Sequence, residues 1–150
     1  MMLVGRQTGP IRRQPTRDTA TETENLTQPQ RDRLAFIELR VRFLGEIRRQ
    51  DLFTRFHIQA AAASRDLATY KELMPGNIGY DSKSKVYVRA ELFRPMFDFS
   101  PARVFSWLTQ GYGDNEPTRH RPLIPIEAAT EISNPDLETL SVITRAIFRR

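Results

Sequence analysis

The stretch from residue 59 to residue 74 places hydrogen-bonding and cationic side chains on a predicted helix that is otherwise rich in alanine. Ala63, Leu67, Tyr70 and Met74 follow at helical spacing and are predicted to face the core. The opposite face then carries Gln59, Ser64, Arg65 and Lys71. An amide can pair with adenine, a guanidinium group with guanine or phosphate, and a hydroxyl with either kind of partner. The pattern therefore favours contact with base edges in a major groove, and the alternative is an ordinary amphipathic helix.

Further cations lie on both sides of this stretch. Arg48 and Arg49 open the preceding element, where they and a helix N-terminus could meet phosphate. Lys83 and Lys85 fall in the turn-forming run Asp81–Lys85 that follows, and they are two of only three lysines in the chain. Each of these side chains alone could be a solvated surface charge. In this order along the chain, they favour binding to the backbone of duplex DNA.

The elements that must position these residues are short helices followed by a hairpin. Thr27 is a good N-cap for a first helix that Gly45 ends, and its apolar stripe consists of Leu34, Ile37, Val41 and Leu44. A second helix is predicted over Arg49–Phe56, and Pro75-Gly76 stops the third. Residues 77–89 alternate as a β-hairpin does. The predicted fold is mainly α with a small β-hairpin, a winged helix-turn-helix followed by linker helices.

The chain is predicted to divide into four segments. Residues 1–27 form a disordered N-terminal arm, and residues 28–99 form the winged helix-turn-helix domain. Residues 100–133 form a linker helix and loop, with Ser100 as the N-cap of the helix Pro101–Gln110. Residues 134–150 contain a last helix, on which Leu137, Leu140, Ile143 and Ile147 are in register.

Composition limits the class of protein. The net charge is +5, and the excess falls in residues 28–97, which carry thirteen basic and eight acidic side chains. The chain has no cysteine, and no apolar run approaches the ~20 residues of a membrane span. We therefore expect a soluble cytoplasmic protein with no disulfide and no membrane partner.

Catalytic residues are hard to assemble from this sequence. The two histidines, His57 and His120, fall in a predicted turn and a predicted loop. No cluster has metal-ligand spacing and no glycine-rich loop cradles phosphate. Asp66 is predicted to be solvated or to cap a turn. We expect no enzyme activity, no cofactor and no metal.

A run of motifs resembles a known family. Ser64-Arg65-Asp66-Leu67, Pro75-Gly76-Asn77, Tyr80-Asp81, Lys85-Val86-Tyr87-Val88 and the following Phe93-Arg94-Pro95-Met96-Phe97 stand in that order. This run is similar to the N-terminal winged helix of bacterial WYL-domain transcriptional regulators. The likeness is to the repressors that are encoded beside anti-phage defence systems of the BREX and CBASS kinds, and it covers roughly residues 30–100.

The resemblance implies a function and partners. It implies sequence-specific binding of double-stranded DNA by a repressor of a defence operon, as a homodimer on an inverted repeat. Such regulators continue into a WYL domain, which senses a nucleic-acid or nucleotide effector, and then into a dimerisation domain. Residues 134–150 look like the helix that opens the WYL domain. We therefore expect effector binding only through domains that lie outside these 150 residues.

One alternative from another class remains open at this point. A winged helix can serve as a protein-interaction module that does not touch DNA. Trp107 and the aromatic tract Phe93–Phe99 would then form the docking surface.

Overall fold

The computed structural model describes residues 23–111 and 136–150. Most of the predicted arm, His120 and most of the predicted linker loop lie outside these described residues. In the described part, the helices are α1 (Gln28–Leu44), α2 (Arg49–Phe56), α3 (Ala60–Leu73), α4 (Pro101–Gln110) and α5 (Leu137–Phe148). The strands are β1 (Glu46–Ile47), β2 (Ile78–Asp81) and β3 (Val86–Arg89). The predicted order of short helices and a hairpin is confirmed.

Helix α1 begins and ends where its sequence predicts. The Thr27 hydroxyl accepts a hydrogen bond from the Gln30 backbone, and the Gln30 side chain accepts one from the Thr27 backbone, which together form a capping box. Gly45 ends the helix with a φ of 89°, a left-handed conformation that glycine adopts without steric cost. Its N–H donates to the carbonyls of Arg40 and Val41.

Helix α1 packs on both of its sides and so divides the core in two. Leu34, Ile37 and Val41 lie in a cluster with residues of α2, α3 and the sheet. Leu39 and Phe43 lie in a second cluster with Val104, Trp107 and Leu108 of α4. A helix with apolar residues on two sides is expected to be central. The second cluster is what fixes α4 to the domain.

The sheet is antiparallel, with strand order β1-β3-β2. Strand β1, which follows Gly45 directly, pairs with β3 and places Ile47 opposite Tyr87. Strands β2 and β3 form the predicted hairpin, with Tyr80 opposite Tyr87. Because β1 joins the end of α1 to the middle strand, the hairpin has a fixed position relative to the helices.

Helix α5 packs against the C-terminal part of α1 with a face that only partly matches the predicted one. Leu137 and Leu140 pack against the second core cluster, but Ile143 and Ile147 are exposed, so the prediction is wrong for these two isoleucines. The buried face instead contains Ser141 and Thr144, whose hydroxyls donate to the carbonyls of Arg42 and Phe43 at 2.9 Å and 2.5 Å. The last carbonyls of a helix have no partner within it, and these hydroxyls satisfy two of them.

Candidate nucleic-acid interface

The face of α3 that was predicted to meet DNA is exposed. Ala63, Leu67 and Tyr70 are fully buried against α1 and α2, as predicted. Around the helix, the exposed positions are Gln59, Ala60, Ala61, Arg65, Ala68, Lys71 and Glu72. Gln59 is the N-cap and makes no side-chain capping bond, so its amide remains available. The alanine side chains are short, so a flat or grooved partner can approach the helix backbone closely.

Ser64 and Arg49 come together at the junction of α2 and α3. Arg49 Nη1 donates to Ser64 Oγ at 3.4 Å, and Ser64 is half-buried. Arg48, the N-cap of α2, lies next to it with a side chain that is 55% exposed and 4.0 Å from a carboxylate oxygen of Glu46. Two of the predicted phosphate ligands thus lie at the N-terminal end of α2, and one of them reaches α3.

A salt bridge and a capping bond fix the N-terminal end of α2. The carboxylate of Asp51 accepts from the backbone N–H of Arg48 at 2.7 Å. The same carboxylate lies 3.4 Å from Nε of Arg40 on α1. Burial lowers the pKa of the Arg40 guanidinium, and the nearby Asp51 charge partly opposes that shift. The position of Arg48 and Arg49 is therefore set by α1.

The tip of the hairpin carries two exposed lysines on an ordered turn. The Asp81 carboxylate accepts from the Ser84 hydroxyl at 2.6 Å and from the Lys83 backbone at 2.9 Å. These bonds, the one from Ser84 first, lower the pKa of Asp81. Lys85 has a φ of 56°, so it supplies the left-handed residue that closes the turn. Lys83 and Lys85 thus have a fixed backbone and flexible side chains.

Behind the exposed face, a chain of buried hydrogen bonds joins α1, α3 and the hairpin. The Tyr70 hydroxyl donates to Glu38 Oε2 at 3.0 Å, and Asn77 Nδ2 donates to the Tyr70 oxygen at 3.0 Å. The amide of Asn77 also pairs with the backbone of Arg94 in both directions. Since Asn77 precedes β2 directly, this network sets the angle between α3 and the hairpin.

Glu38 is the acceptor at the centre of that network. It is fully buried, and its carboxylate accepts from the backbone N–H groups of Met96 and Phe97 as well as from Tyr70. Burial raises the pKa of Glu38 to about 6, against the lowering effect of these donors. Burial also raises the pKa of Tyr70, so its hydroxyl keeps its proton and acts as a donor to Glu38.

Sequence reasoning missed this network, although one signal for it was present. Glu38 is a single acid within the run AFIEL of α1, between Ile37 and Leu39. A charged residue inside an apolar run is buried only when it is paired or hydrogen-bonded. What the sequence could not supply was the identity of its partners, because Tyr70 and Met96 are distant along the chain.

Asp66 holds α3 to α1, and its predicted role is wrong. Its carboxylate accepts from Arg33 Nε at 2.6 Å and from Arg33 Nη2 at 3.2 Å. The Asp66 side chain is 8% exposed and that of Arg33 is 16% exposed. The two-point geometry favours a fixed orientation. Asp66 is therefore neither solvated nor a turn cap, because α1 places an arginine over it.

The docking surface of the protein-interaction alternative is largely buried. Trp107 and Phe99 belong to the second core cluster, and Phe93, Met96 and Phe97 pack against the first. The tract from Phe93 to Phe99 thus packs back on the domain. Within residues 23–111 and 136–150, this leaves the alternative without the aromatic surface on which it was based.

Other site types find little support in the described residues. No group of three or more potential metal ligands occurs among them. His57 is exposed and is the C-cap of α2, with a φ of 53° in the turn between α2 and α3. No helix in the described part of the chain is long and apolar enough to span a membrane.

The fold and the exposed α3 face define a winged helix-turn-helix protein. The family model described as the BrxR transcriptional regulator winged helix-turn-helix domain matches residues 29–110. That is more than half of the 150 residues, and the chain belongs to this family. The matched region extends through α4, which packs on α1 in the second core cluster.

The chain is also similar to named repressors. One is the DNA-binding transcriptional repressor CapW of Escherichia coli strain KTE188, which is 43% identical over 68 residues, or 45% of this chain and 23% of that protein. CapW of Stenotrophomonas maltophilia is 38% identical over 73 residues, which are 49% of this chain and 24% of the relative. CapW of Pseudomonas aeruginosa is 38% identical over 71 residues, which are 47% and 24% of the two chains. The match spans about a quarter of the length of these relatives.

Proposed function

We propose that this chain is the DNA-binding part of a transcriptional repressor and that α3 binds in the major groove of double-stranded DNA. The observation that carries the proposal is the exposed face of α3, which is fixed from behind by Glu38, Tyr70 and Asp66. The family and the printed names of the CapW repressors support it. The proposed activity is DNA binding and not catalysis.

We assign the contacts by side-chain chemistry. Gln59, Ser64 and Arg65 contact base edges, because they are the polar groups near the N-terminus of α3; Gln59 and Arg65 are exposed and Ser64 is half-buried. Five cations bind phosphates; they are Arg48, Arg49, Lys71, Lys83 and Lys85. The bond from Arg49 to Ser64 orders both side chains before DNA arrives. Because α3 carries few side chains that can read bases, DNA shape also contributes to selectivity.

The proposal extends to assembly and biological role. The protein acts as a homodimer on an inverted repeat, and it represses an anti-phage defence operon. The effector, a nucleic acid or a nucleotide, binds through a WYL domain outside residues 1–150. Two-fold symmetry of a dimer would match a palindromic operator, and its half-site spacing would follow from the dimer geometry.

The salt dependence of DNA binding tests the assigned phosphate contacts. Five phosphate contacts per chain predict that log K falls with log salt concentration with a slope of about −4.5 for one bound chain and about −9 for a bound dimer. Fluorescence anisotropy with labelled DNA from the region upstream of the chain's own coding sequence, at about 0.1 M salt and above, measures this slope. A slope near zero would contradict the assigned phosphate contacts.

Competition between DNA fragments tests whether binding is sequence-specific. An unlabelled copy of the upstream fragment should displace the labelled one at concentrations at least a hundredfold lower than a scrambled fragment does, since specific binding is typically 10³-fold or more tighter. Equal competition by the two fragments would mean that binding, if present, is nonspecific.

A further inference from the structure

A pair of tyrosines lies on the hairpin between its base and the lysine tip. Tyr80 of β2 is opposite Tyr87 of β3, and the two ring centroids are 4.8 Å apart. Side chains alternate between the two faces of a strand, so Tyr80 shares its face with Ile78. Ile78 is buried in the first core cluster, which contains residues of α1 and α3. Tyr80 therefore lies on the side of the sheet that faces these helices, two residues nearer the tip.

The two tyrosines differ in how far they are covered by protein. Tyr80 is 46% exposed, whereas Tyr87 is half-buried and packs against the first core cluster. Within the part of the chain that the structure describes, the Tyr80 hydroxyl makes no hydrogen bond. A phenol hydroxyl can donate one hydrogen bond and carries no charge at neutral pH. Tyr80 thus presents a neutral, available donor on the stem of the hairpin.

Contacts on two sides hold the Tyr80 ring in position. Tyr87 packs against the ring and is itself held by the core. On the other side, Asp81 orders the turn by accepting from the Ser84 hydroxyl and from the Lys83 backbone. A tyrosine also has only two side-chain torsions, so it loses little conformational entropy on binding. Tyr80 is therefore oriented before a partner reaches the hairpin.

A duplex that contacts both α3 and the tip of the hairpin passes over Tyr80. With α3 in the major groove and Lys83 and Lys85 at phosphates, the sugar–phosphate strand that borders the groove runs along the stem of the hairpin. Tyrosine is among the side chains that donate to phosphate oxygens in such complexes. A hydrogen bond from a hydroxyl to this charged acceptor is stronger than one to a neutral acceptor.

We propose that the Tyr80 hydroxyl donates a hydrogen bond to a backbone phosphate of the bound duplex and that Tyr87 positions the Tyr80 ring. This assignment rests on the proposed binding of DNA by α3 and adds a contact of a different kind to it. Because the phenol is neutral, the contact holds the hairpin on the DNA backbone without releasing a counterion. Tyr80 therefore contributes equally to affinity at low and at high salt, where the lysine contacts weaken.

Tyr80→Phe in the full 150-residue protein tests the assignment, because it removes the hydroxyl and keeps the ring against Tyr87. Anisotropy with the labelled upstream fragment at about 0.15 M salt should show a loss of about fivefold or more, as for a lost hydrogen bond to a charged group. The salt slope should equal that of the wild type, since no cation is removed. Tyr87→Phe is the matched control, because it removes a hydroxyl from the half-buried ring of the same pair and should leave affinity unchanged.

The possible results separate this assignment from the proposed function. Binding by the wild type with equal affinity for Tyr80→Phe would overturn the Tyr80 contact and leave DNA binding by α3 in place. Equal losses in Tyr80→Phe and Tyr87→Phe would mean that the pair acts only through the shape of the hairpin, and thermal melts followed by circular dichroism would show such a change. A salt slope shallower by about 0.9 per chain in Tyr80→Phe would mean that a cation contact was lost, which also contradicts a neutral donor. Absence of DNA binding by the wild type would overturn the proposed function and this assignment together.

Discussion

Replacing Glu38 with leucine should destabilise the fold even though leucine is the more hydrophobic residue. In the protein, the Glu38 carboxylate accepts from the Tyr70 hydroxyl and from the backbone N–H groups of Met96 and Phe97. Leucine would leave these three donors without their acceptor. A donor left unsatisfied in the interior costs about 1–3 kcal/mol.

The magnitude follows from two opposing terms. Because the Met96 and Phe97 donors are only part-buried, the lower part of this range applies, and three donors at about 1–2 kcal/mol each give a loss of roughly 3–6 kcal/mol. Against this, burial disfavours the carboxylate, as the pKa of about 6 instead of 4.5 indicates, and removing the charge recovers about 2 kcal/mol. We therefore expect Glu38→Leu to lower the free energy of unfolding at pH 7 by about 3 kcal/mol.

Urea denaturation followed by helical circular dichroism measures this change. Tyr70→Phe is the matched control, because it removes only one donor to Glu38 and leaves Asn77 bonded to Arg94. It should cost about 1 kcal/mol. If Glu38→Leu costs less than Tyr70→Phe, or stabilises the protein, then the network does not hold α3 and the reasoning is refuted.

Three further predictions concern Asp66, the protonation of Glu38 and the lysine Lys83 at the hairpin tip. Asp66→Ala should cost about 3 kcal/mol in urea denaturation, because it leaves the largely buried Arg33 unpaired, and a cost no larger than that of a surface substitution would contradict the pairing. Glu38 binds its proton more tightly in the folded state, so its contribution to stability is fully present below pH 4.5 and is lost as pH rises through about 6. Unfolding measured from pH 4.5 to pH 7 should show this loss of about 2 kcal/mol in the wild type and not in Glu38→Gln, and identical profiles would exclude Glu38 as the cause. Lys83→Gln should make the salt slope of DNA binding shallower by about 0.9, whereas an unchanged slope would remove the hairpin tip from the phosphate contacts.

Much of the fold was predictable from local signals. Thr27, Gly45 and the pair Pro75-Gly76 mark element boundaries through capping and backbone conformation, and the structure confirms them. The apolar spacing in α3 predicted its buried face, and the alternating residues after it predicted the hairpin. These signals act within a few residues of each other, so one sequence is enough to read them.

Contacts between distant residues were not predictable in the same way. Asp66 was expected in solvent because its arginine partner lies 33 positions earlier in the chain. On α5, Leu137 and Leu140 pack inward as expected, but Ile143 and Ile147 do not, because the partner surface offers carbonyl oxygens at the end of α1, which Ser141 and Thr144 satisfy. The assigned DNA contacts are predictions from side-chain chemistry and exposure.

The measurement that tests the central proposal most directly is the affinity of Arg65→Ala for the upstream DNA fragment. Arg65 is exposed on α3, and the control Arg150→Ala removes an equal charge from the far end of α5. Anisotropy at about 0.15 M salt should show a loss of roughly tenfold or more for Arg65→Ala, with discrimination against scrambled DNA reduced, and little loss for Arg150→Ala. Equal affinities for the wild type and both variants would contradict DNA recognition by α3.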